Sequence, residues 1–263
     1  MDLMKEILDY NVQSSEISIW YLAGAGFVCK TQHLLFMIDP YINTLPDTAD
    51  LTRKPLIPFD TEKISQLDIL FSSHEHDDHC DQKTIEAVAE NTNAIFIGPM
   101  TSTIKAASWG MPPNRLRSVK AGDEIELDHI KVITLECFDP ACQDGNIYLI
   151  ETEGITMIFC GDSFGHEQFK RYGEEFDIDI AFVSTAINPH GVNWYMPAGE
   201  ACDAVKMLRP KLFIPMHWNI WQEAYLSPLE IHQAAVEKGI SEITLLMGMG
   251  ERITYKKDRG KQR

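Results

Sequence analysis

The stretch His74-Glu75-His76-Asp77-Asp78-His79 gathers three imidazoles and a carboxylate in the pattern His-x-His-x-Asp-His. At alternate spacing, His74 and His76 can converge from a turn onto one metal ion. Asp78 and His79, just beyond, can serve a second ion close by. Imidazole and carboxylate suit zinc, manganese or iron, and a donor set made partly of oxygen leaves room for a reactive water. A polar surface turn rich in histidine is the bland alternative. The cluster directly follows an apolar strand, where open catalytic metal sites are often built, and this favours the metal reading. The chemistry would be hydrolysis, because divalent metals lower the pKa of water and polarise a carbonyl or phosphoryl oxygen. Asp78 can hold the water in line and accept its proton, and a histidine or metal-bound water can protonate the leaving alkoxide. Glu75 and Asp77 alternate with the ligands and are expected to point away, toward backbone or solvent.

Apolar and alternating runs predict the strands that carry these residues, at Glu16–Tyr21, Gly26–Thr31, Leu34–Ile38 and Ile69–Ser72. Others follow at Ala94–Ile97, Glu124–Leu127, Ile130–Thr134, Asn146–Glu151 and Thr156–Cys160, then at Ile180–Val183, Leu212–Ile214, Ile243–Met247 and Arg252–Tyr255. Asp81 caps a helix through Ala89, and Thr101 or Ser102 starts one that Gly110 closes. Pro197 opens another that Pro210 ends. Ser227-Pro228-Leu229-Glu230 is a capping box whose helix stops at Gly239. Strands followed by helix–strand alternation, twice over, suit two sheets packed face to face with helices outside, a mixed α/β (α+β) class.

The motif and its surroundings resemble the metallo-β-lactamase superfamily of metal-dependent hydrolases. The resemblance runs from about Ile17 to Trp221 and includes Leu35 to Pro40, Leu67 to Ser73, Gly161-Asp162-Ser163 and Ile214 to Trp218. Phe96 to Pro99, Ser108 to Val119 and His217 to Trp221 are most similar to its L-ascorbate-6-phosphate lactonase-like branch. It implies a four-layer αββα sandwich spanning 1–263 as one domain, with the ligand motifs on loops at one edge. It also implies two divalent ions, Mn or Zn, with Asp162 bridging them and His217 ligating the second and taking part in catalysis. For the last ligand of the first metal the superfamily mostly has a histidine; the lactonase-like branch has an aspartate after a phenylalanine, which points to Asp139. Glu136 and Asp144 stay open as rivals. An aspartate there makes the site oxygen-rich and tilts it toward manganese. Asp39 is expected to buttress the ligand loops by hydrogen bonding.

The loop from Ala186 to Pro197 offers Asn188, His190, Trp194 and Tyr195 as substrate contacts. Trp218 and Trp221 can wall the pocket. His190 and Pro140 stand where the lactonase-like branch has basic residues, which puts a phosphorylated lactone in doubt while leaving hydrolysis of a small ester or lactone intact. His33, His129, His166 and His232 carry no motif.

The chain has 263 residues, 44% of them hydrophobic, and a net charge of −16. Such acidity disfavours a nucleic-acid partner, and so the phosphodiesterase or nuclease alternative on the same scaffold. A redox di-iron protein is the other alternative; those relatives put glutamate where His76 stands. The basic run Lys256 to Arg263 reads as a solvated tail. Cys29, Cys80, Cys137, Cys142, Cys160 and Cys202 form no Cys-x-x-Cys pair and read as reduced thiols. No bilayer-spanning apolar run and no signal-like start are present, so a cytoplasmic protein without membrane partners is expected, acting on a small molecule. Homo-oligomerisation stays open.

Overall fold

The computed structural model describes residues 2–42, 51–54 and 58–257; the basic run beyond Lys257 lies outside them. The strands are β1 (Glu16–Ala23), β2 (Gly26–Lys30), β3 (Leu35–Ile38), β4 (Ile69–Phe71), β5 (Ile95–Gly98), β6 (Leu116–Ser118) and β7 (Glu124–Leu127). They continue with β8 (Ile130–Glu136), β9 (Asn146–Thr152), β10 (Ile155–Phe159), β11 (Ile180–Ser184), β12 (Leu212–Met216) and β13 (Arg252–Lys256). The helices are α1 (Leu3–Asp9), α2 (Gln82–Asn91), α3 (Met100–Ser108), α4 (Gln168–Glu175), α5 (Ala198–Leu208) and α6 (Pro228–Glu237).

One sheet has the order β13-β1-β2-β3-β4-β5-β6, the other β12-β11-β10-β9-β8-β7. Strand alternation sorts the side chains into layers. Ile17, Ile19 and Tyr21 of β1 face inward, where Phe27, Phe36 and Phe71 meet Tyr148, Phe159 and Phe182 of the other sheet. The intervening Trp20 and Leu22 face outward with Met4 and Ile7 of α1, and Ile85 and Val88 of α2. On the far side Ile147, Leu149 and Ala181 pack beneath Phe169 of α4, Val205 and Leu208 of α5, and Ala235 of α6. Both faces of each sheet are covered, so the central strands read as near-continuous apolar runs. The result is the expected four-layer αββα sandwich.

The predicted strand Ile243–Met247 does not form. A 3-10 turn occupies Ser241–Ile243, and only a single bridge joins Thr244 to Phe213. Here the chain leaves β12, at the edge of one sheet, to reach β13 at the edge of the other, so an extended run cannot stay in register. The helices α1 and α4 and the short β6 are additions to the sequence expectation. Asp2 caps α1, which buries only Met4 and Ile7, and α4 buries only Phe169 and Tyr172, too few apolar positions to announce a helix.

β3 and β4 are parallel, as are β10, β11 and β12, while β8 and β10 both run antiparallel to β9. Asp39, Ser73, Asp139, Asp162 and His217 therefore all follow the C-terminal ends of strands at one edge of the sandwich.

Candidate metal centre

The ligand loop is held from beneath by Asp39. Fully buried, this carboxylate accepts from Ser73 N at 2.7 Å and Ser73 Oγ at 2.5 Å, and lies 2.6 Å from His79 Nδ1. Because the Ser73 hydroxyl spends its one hydrogen on Asp39, it can only accept from His74 Nδ1, 3.0 Å away. Both contacts fix tautomers. His74 and His79 each carry hydrogen on Nδ1, turning the Nε2 lone pairs toward the cleft. Past His74 the chain closes a tight turn, with His79 N and Cys80 N both donating to His76 O. That turn sets His76 toward one group of donors and Asp78 and His79 toward another.

Two disjoint triads result. One is His74, His76 and Asp139; the other is Asp78, His79 and His217; in each, the candidate donor atoms lie within 4.8 Å of one another. Asp162 groups with one member of each, His74 and His79. His74 Nε2 and His76 Nδ1 stand 3.0 Å apart, close to the spacing of two nitrogens that share a cation at about 2.0–2.1 Å each. His217 Nε2 lies 3.1 Å from Asp78 Oδ2 and 3.5 Å from Asp162 Oδ2. His79 Nε2, 3.3 Å from Asp162 Oδ2 and 3.8 Å from Asp78 Oδ2, is buried without an aligned hydrogen bond. A buried nitrogen orphaned between carboxylates is what a cation would satisfy, and four imidazoles with three carboxylates form a fitting donor set.

The carboxylate between the triads is positioned by backbone and hydroxyl. Gly161 has φ +52°, and a Cβ there would stand 2.9 Å from Ser73 Oγ, so the turn into Asp162 requires glycine. Ser184, at the end of β11, donates to Asp162 Oδ1 at 2.9 Å. Asp39 and His217 themselves occupy left-handed backbone, with φ 45° and 70°, a strain found at sites the surrounding structure holds in place.

Charge tells the same story. Burial opposes ionisation of Asp162 and Asp78, but His217 and His79 overturn it and hold both carboxyls well below their usual range. Burial likewise opposes the imidazolium of His79, and Asp162, Asp78 and Asp39 reverse that, raising it well above the ordinary value. His217 is raised against burial by Asp162 and Asp78. His74 is driven down by burial and by His79, which keeps it neutral. Burial pushes Asp39 and Asp139 up. Without a cation, the carboxylates of the second triad therefore favour extra protons on His79 and His217.

The triads open into a cleft of about 730 Å³. Trp194 and Tyr195 line it as expected; Asn188 and His190 do not. The amide of Asn188 is consumed in stapling its own loop, accepting from Trp194 N and Tyr195 N and donating to Tyr195 O, while His190 is exposed on the turn. Glu75 and Asp77 point toward backbone and solvent as expected, Glu75 Oε1 accepting from Gln143 N at 3.4 Å and Asp77 standing exposed, and both lie at the rim of the cleft. Trp221 walls the cleft, whereas Trp218 packs in the core between the sheets. Of the rivals to Asp139, Asp144 is taken up by Thr101, accepting from its N at 3.0 Å and from its hydroxyl, and Glu136 is exposed. Ser73, Ser184, Tyr41 and Trp109 were not singled out from sequence. Trp109 falls within the stretch Ser108 to Val119 that carries the family resemblance, but nothing local marks the serines.

Residues 18–217 match the family model described as the beta-lactamase superfamily domain. The chain is 31% identical over 215 residues to a Salmonella heidelberg (strain SL476) protein described as "Probable L-ascorbate-6-phosphate lactonase UlaG". That alignment covers 74% of this chain and 58% of the relative, so the chain spans about three fifths of the relative's length. Two solved structures share the fold. One is Igni18, a metallo hydrolase from Ignicoccus hospitalis, with TM-score 0.74, 19% identity, and 92% of this chain and 100% of that one covered. The other is isothiocyanate hydrolase from Delia radicum gut bacteria, with TM-score 0.77, 18% identity, and 91% and 100% covered.

Proposed function

The chain belongs to the β-lactamase superfamily, and from that premise we propose that it is a metal-dependent hydrolase of small esters or lactones. The observation that supports this most is the pair of triads disposed about one shared carboxylate at a cleft. In this reading His74, His76 and Asp139 would hold one divalent cation and Asp78, His79 and His217 a second, with Asp162 grouped with a member of each triad. Bound cations supply Lewis acidity, polarising the oxygen under attack and lowering the pKa of water. The remaining work falls to the protein. Asp78, kept ionised, accepts the proton of the attacking water. His217, were its Nε2 given to a cation, would have no proton there to donate, so Asp78 is the group that would return the proton to the leaving alkoxide. The Tyr195 phenol stays neutral, raised by burial and by Asp78, Asp162 and Asp139, and its O–H can donate to the oxygen that gains charge.

The ester or lactone class follows the relatives' description; the phosphate in that description is not carried over, since His190 does not line the cleft and Pro140 has no charge to offer. With Asp139 in the first triad, the oxygen content favours manganese over zinc. The test is metal analysis of purified protein, followed by lactones, thioesters and phosphodiesters offered to the manganese- and zinc-loaded forms. Absence of divalent metal binding, or cleavage of phosphodiesters alone, would overturn the reading.

A further inference from the structure

The walls of the cleft differ in chemistry from its floor. Tyr41, Tyr195 and Trp221, with Trp194 packed against them, form a separate apolar cluster on one side. Tyr41 and Trp221 lie 5.9 Å apart, and the Tyr195 ring is 4.9 Å from that of His217, so the aromatic surface reaches the metal ligands. Trp109, just past α3, adds a fifth ring.

Positive charge is scarce. Among the described residues lining the cleft Lys105 is the one Lys or Arg, and it is engaged, donating to Glu75 O at 2.6 Å and Asp77 Oδ1 at 3.0 Å. Beyond the ligand carboxylates the wall carries Glu75, Asp77, which is paired with Lys105, and Asp81, which accepts from Thr84 N at 3.2 Å, so acidic groups still outnumber the one lysine. Arg53, which does not line the cleft, donates to the Tyr41 carbonyl at 2.8 Å with its guanidinium 4.4 Å from that ring, and Lys54 sits 3.0 Å from the Tyr225 ring. Residues 43–50 and 55–57 contain no Lys or Arg.

We propose that the cleft takes an uncharged substrate bearing an aromatic or similarly flat apolar group, and excludes phosphorylated and carboxylated ones. Flat apolar surface gains from stacking on the rings, while an anionic group remote from the reacting bond would meet carboxylates with no free counter-charge. A cleft of about 730 Å³ is of a size that accepts such molecules whole. The proposal rests on the hydrolase reading for the bond that is cleaved, but not for what binds.

The test is therefore calorimetric binding to the metal-loaded protein. The probe is dihydroquinolinone, the hydrolysis-resistant lactam counterpart of dihydrocoumarin, beside the same lactam carrying a ring phosphate. The neutral lactam should bind at least tenfold more tightly than the phosphorylated one. Trp109→Ala and Trp194→Ala, on different elements, should each weaken the neutral lactam about fivefold to tenfold. Tighter binding of the phosphorylated lactam, lost in Lys105→Met, would overturn the proposal, as would no binding of the neutral lactam or indifference to both tryptophan variants. Neutral-lactam binding through the tryptophans without hydrolysis of any ester or lactone would end the hydrolase reading and leave this one standing. Preferential hydrolysis of phosphorylated lactones would do the reverse.

Discussion

Replacing Asp39 with Asn keeps the shape of a buried side chain and removes one acceptor from a network in which all three contacts measure 2.5–2.7 Å. The amide has two placements. With its oxygen toward His79, its nitrogen opposes Ser73 N–H, leaving buried donors face to face at a cost of about 1–3 kcal/mol. With its oxygen toward Ser73 N, its nitrogen donates to Ser73 Oγ and His79 Nδ1. That placement avoids the clash but moves the imidazole hydrogen of His79 to Nε2, the atom meant for the cation. It also frees the Ser73 hydroxyl hydrogen to point at His74 Nδ1, shifting that tautomer as well. The easier arrangement is thus the one that spoils two ligands. We expect cation affinity to fall about tenfold to hundredfold, or about 1.4–2.7 kcal/mol. At a pH high enough for His79 to be neutral, metal-free stability should change by only about 1 kcal/mol, because loss of a hydrogen bond is offset by relief of a buried charge. Competitive chelator titration measures the first quantity and calorimetric Tm of the metal-free protein the second. Full cation affinity in Asp39→Asn would refute the tautomer argument. A collapse of metal-free Tm would show Asp39 to be a structural staple instead of a positioning group.

Three further outcomes are expected. Asp139→Ala should lower the bound cation by about one equivalent, whereas Glu136→Ala should not change it; Asp144→Ala should lose about 0.5–2 kcal/mol of stability through the start of α3 and keep its metal, all read from metal content and Tm. Gly161→Ala should cost about 1–2 kcal/mol from its left-handed backbone alone and more from displacing Ser73, seen by denaturant titration together with weakened cation binding. For metal-free protein the pH dependence has a definite sign. His79 and His217 are raised in the fold, so their contribution is whole below the unfolded value of about 6.5 and is lost as pH rises through the folded values; Asp78 and Asp162 are depressed, so theirs is present above about 3.9 and lost as pH falls through the folded values. Calorimetry with chelator should show Tm falling as pH rises above about 6.5, and the metal-loaded protein should fall less, since the cation replaces those protons. An equal decline in both forms would exclude protons and metal sharing the second triad.

Much of this protein is written locally. His-x-His-x-Asp-His needs only a tight turn to converge, so its chemistry is legible from six residues. Apolar runs with caps and glycines announce most strands and four of the helices, because burial on both faces of a sheet demands them. The site's remaining parts come from chain separations of tens to more than a hundred residues, and their selection is a matter of packing. Glu136, Asp139 and Asp144 carry interchangeable chemistry within nine residues of sequence. The fold separates them: Ser163 Oγ accepts from Phe138 N at 3.0 Å, Phe138 stacks on His166 at 3.8 Å, and Thr101 captures Asp144, leaving Asp139 beside His74 and His76. The hydroxyls of Ser73 and Ser184 are equally silent in the sequence, since a serine acquires a role only from what faces it. The aromatic wall is likewise assembled from Tyr41, Trp194, Tyr195 and Trp221, three segments of chain that meet only at the edge of the sandwich. Residue types and short spacings determine what chemistry is available; which groups stand within bonding distance is decided by strand order and loop direction, which no local pattern encodes.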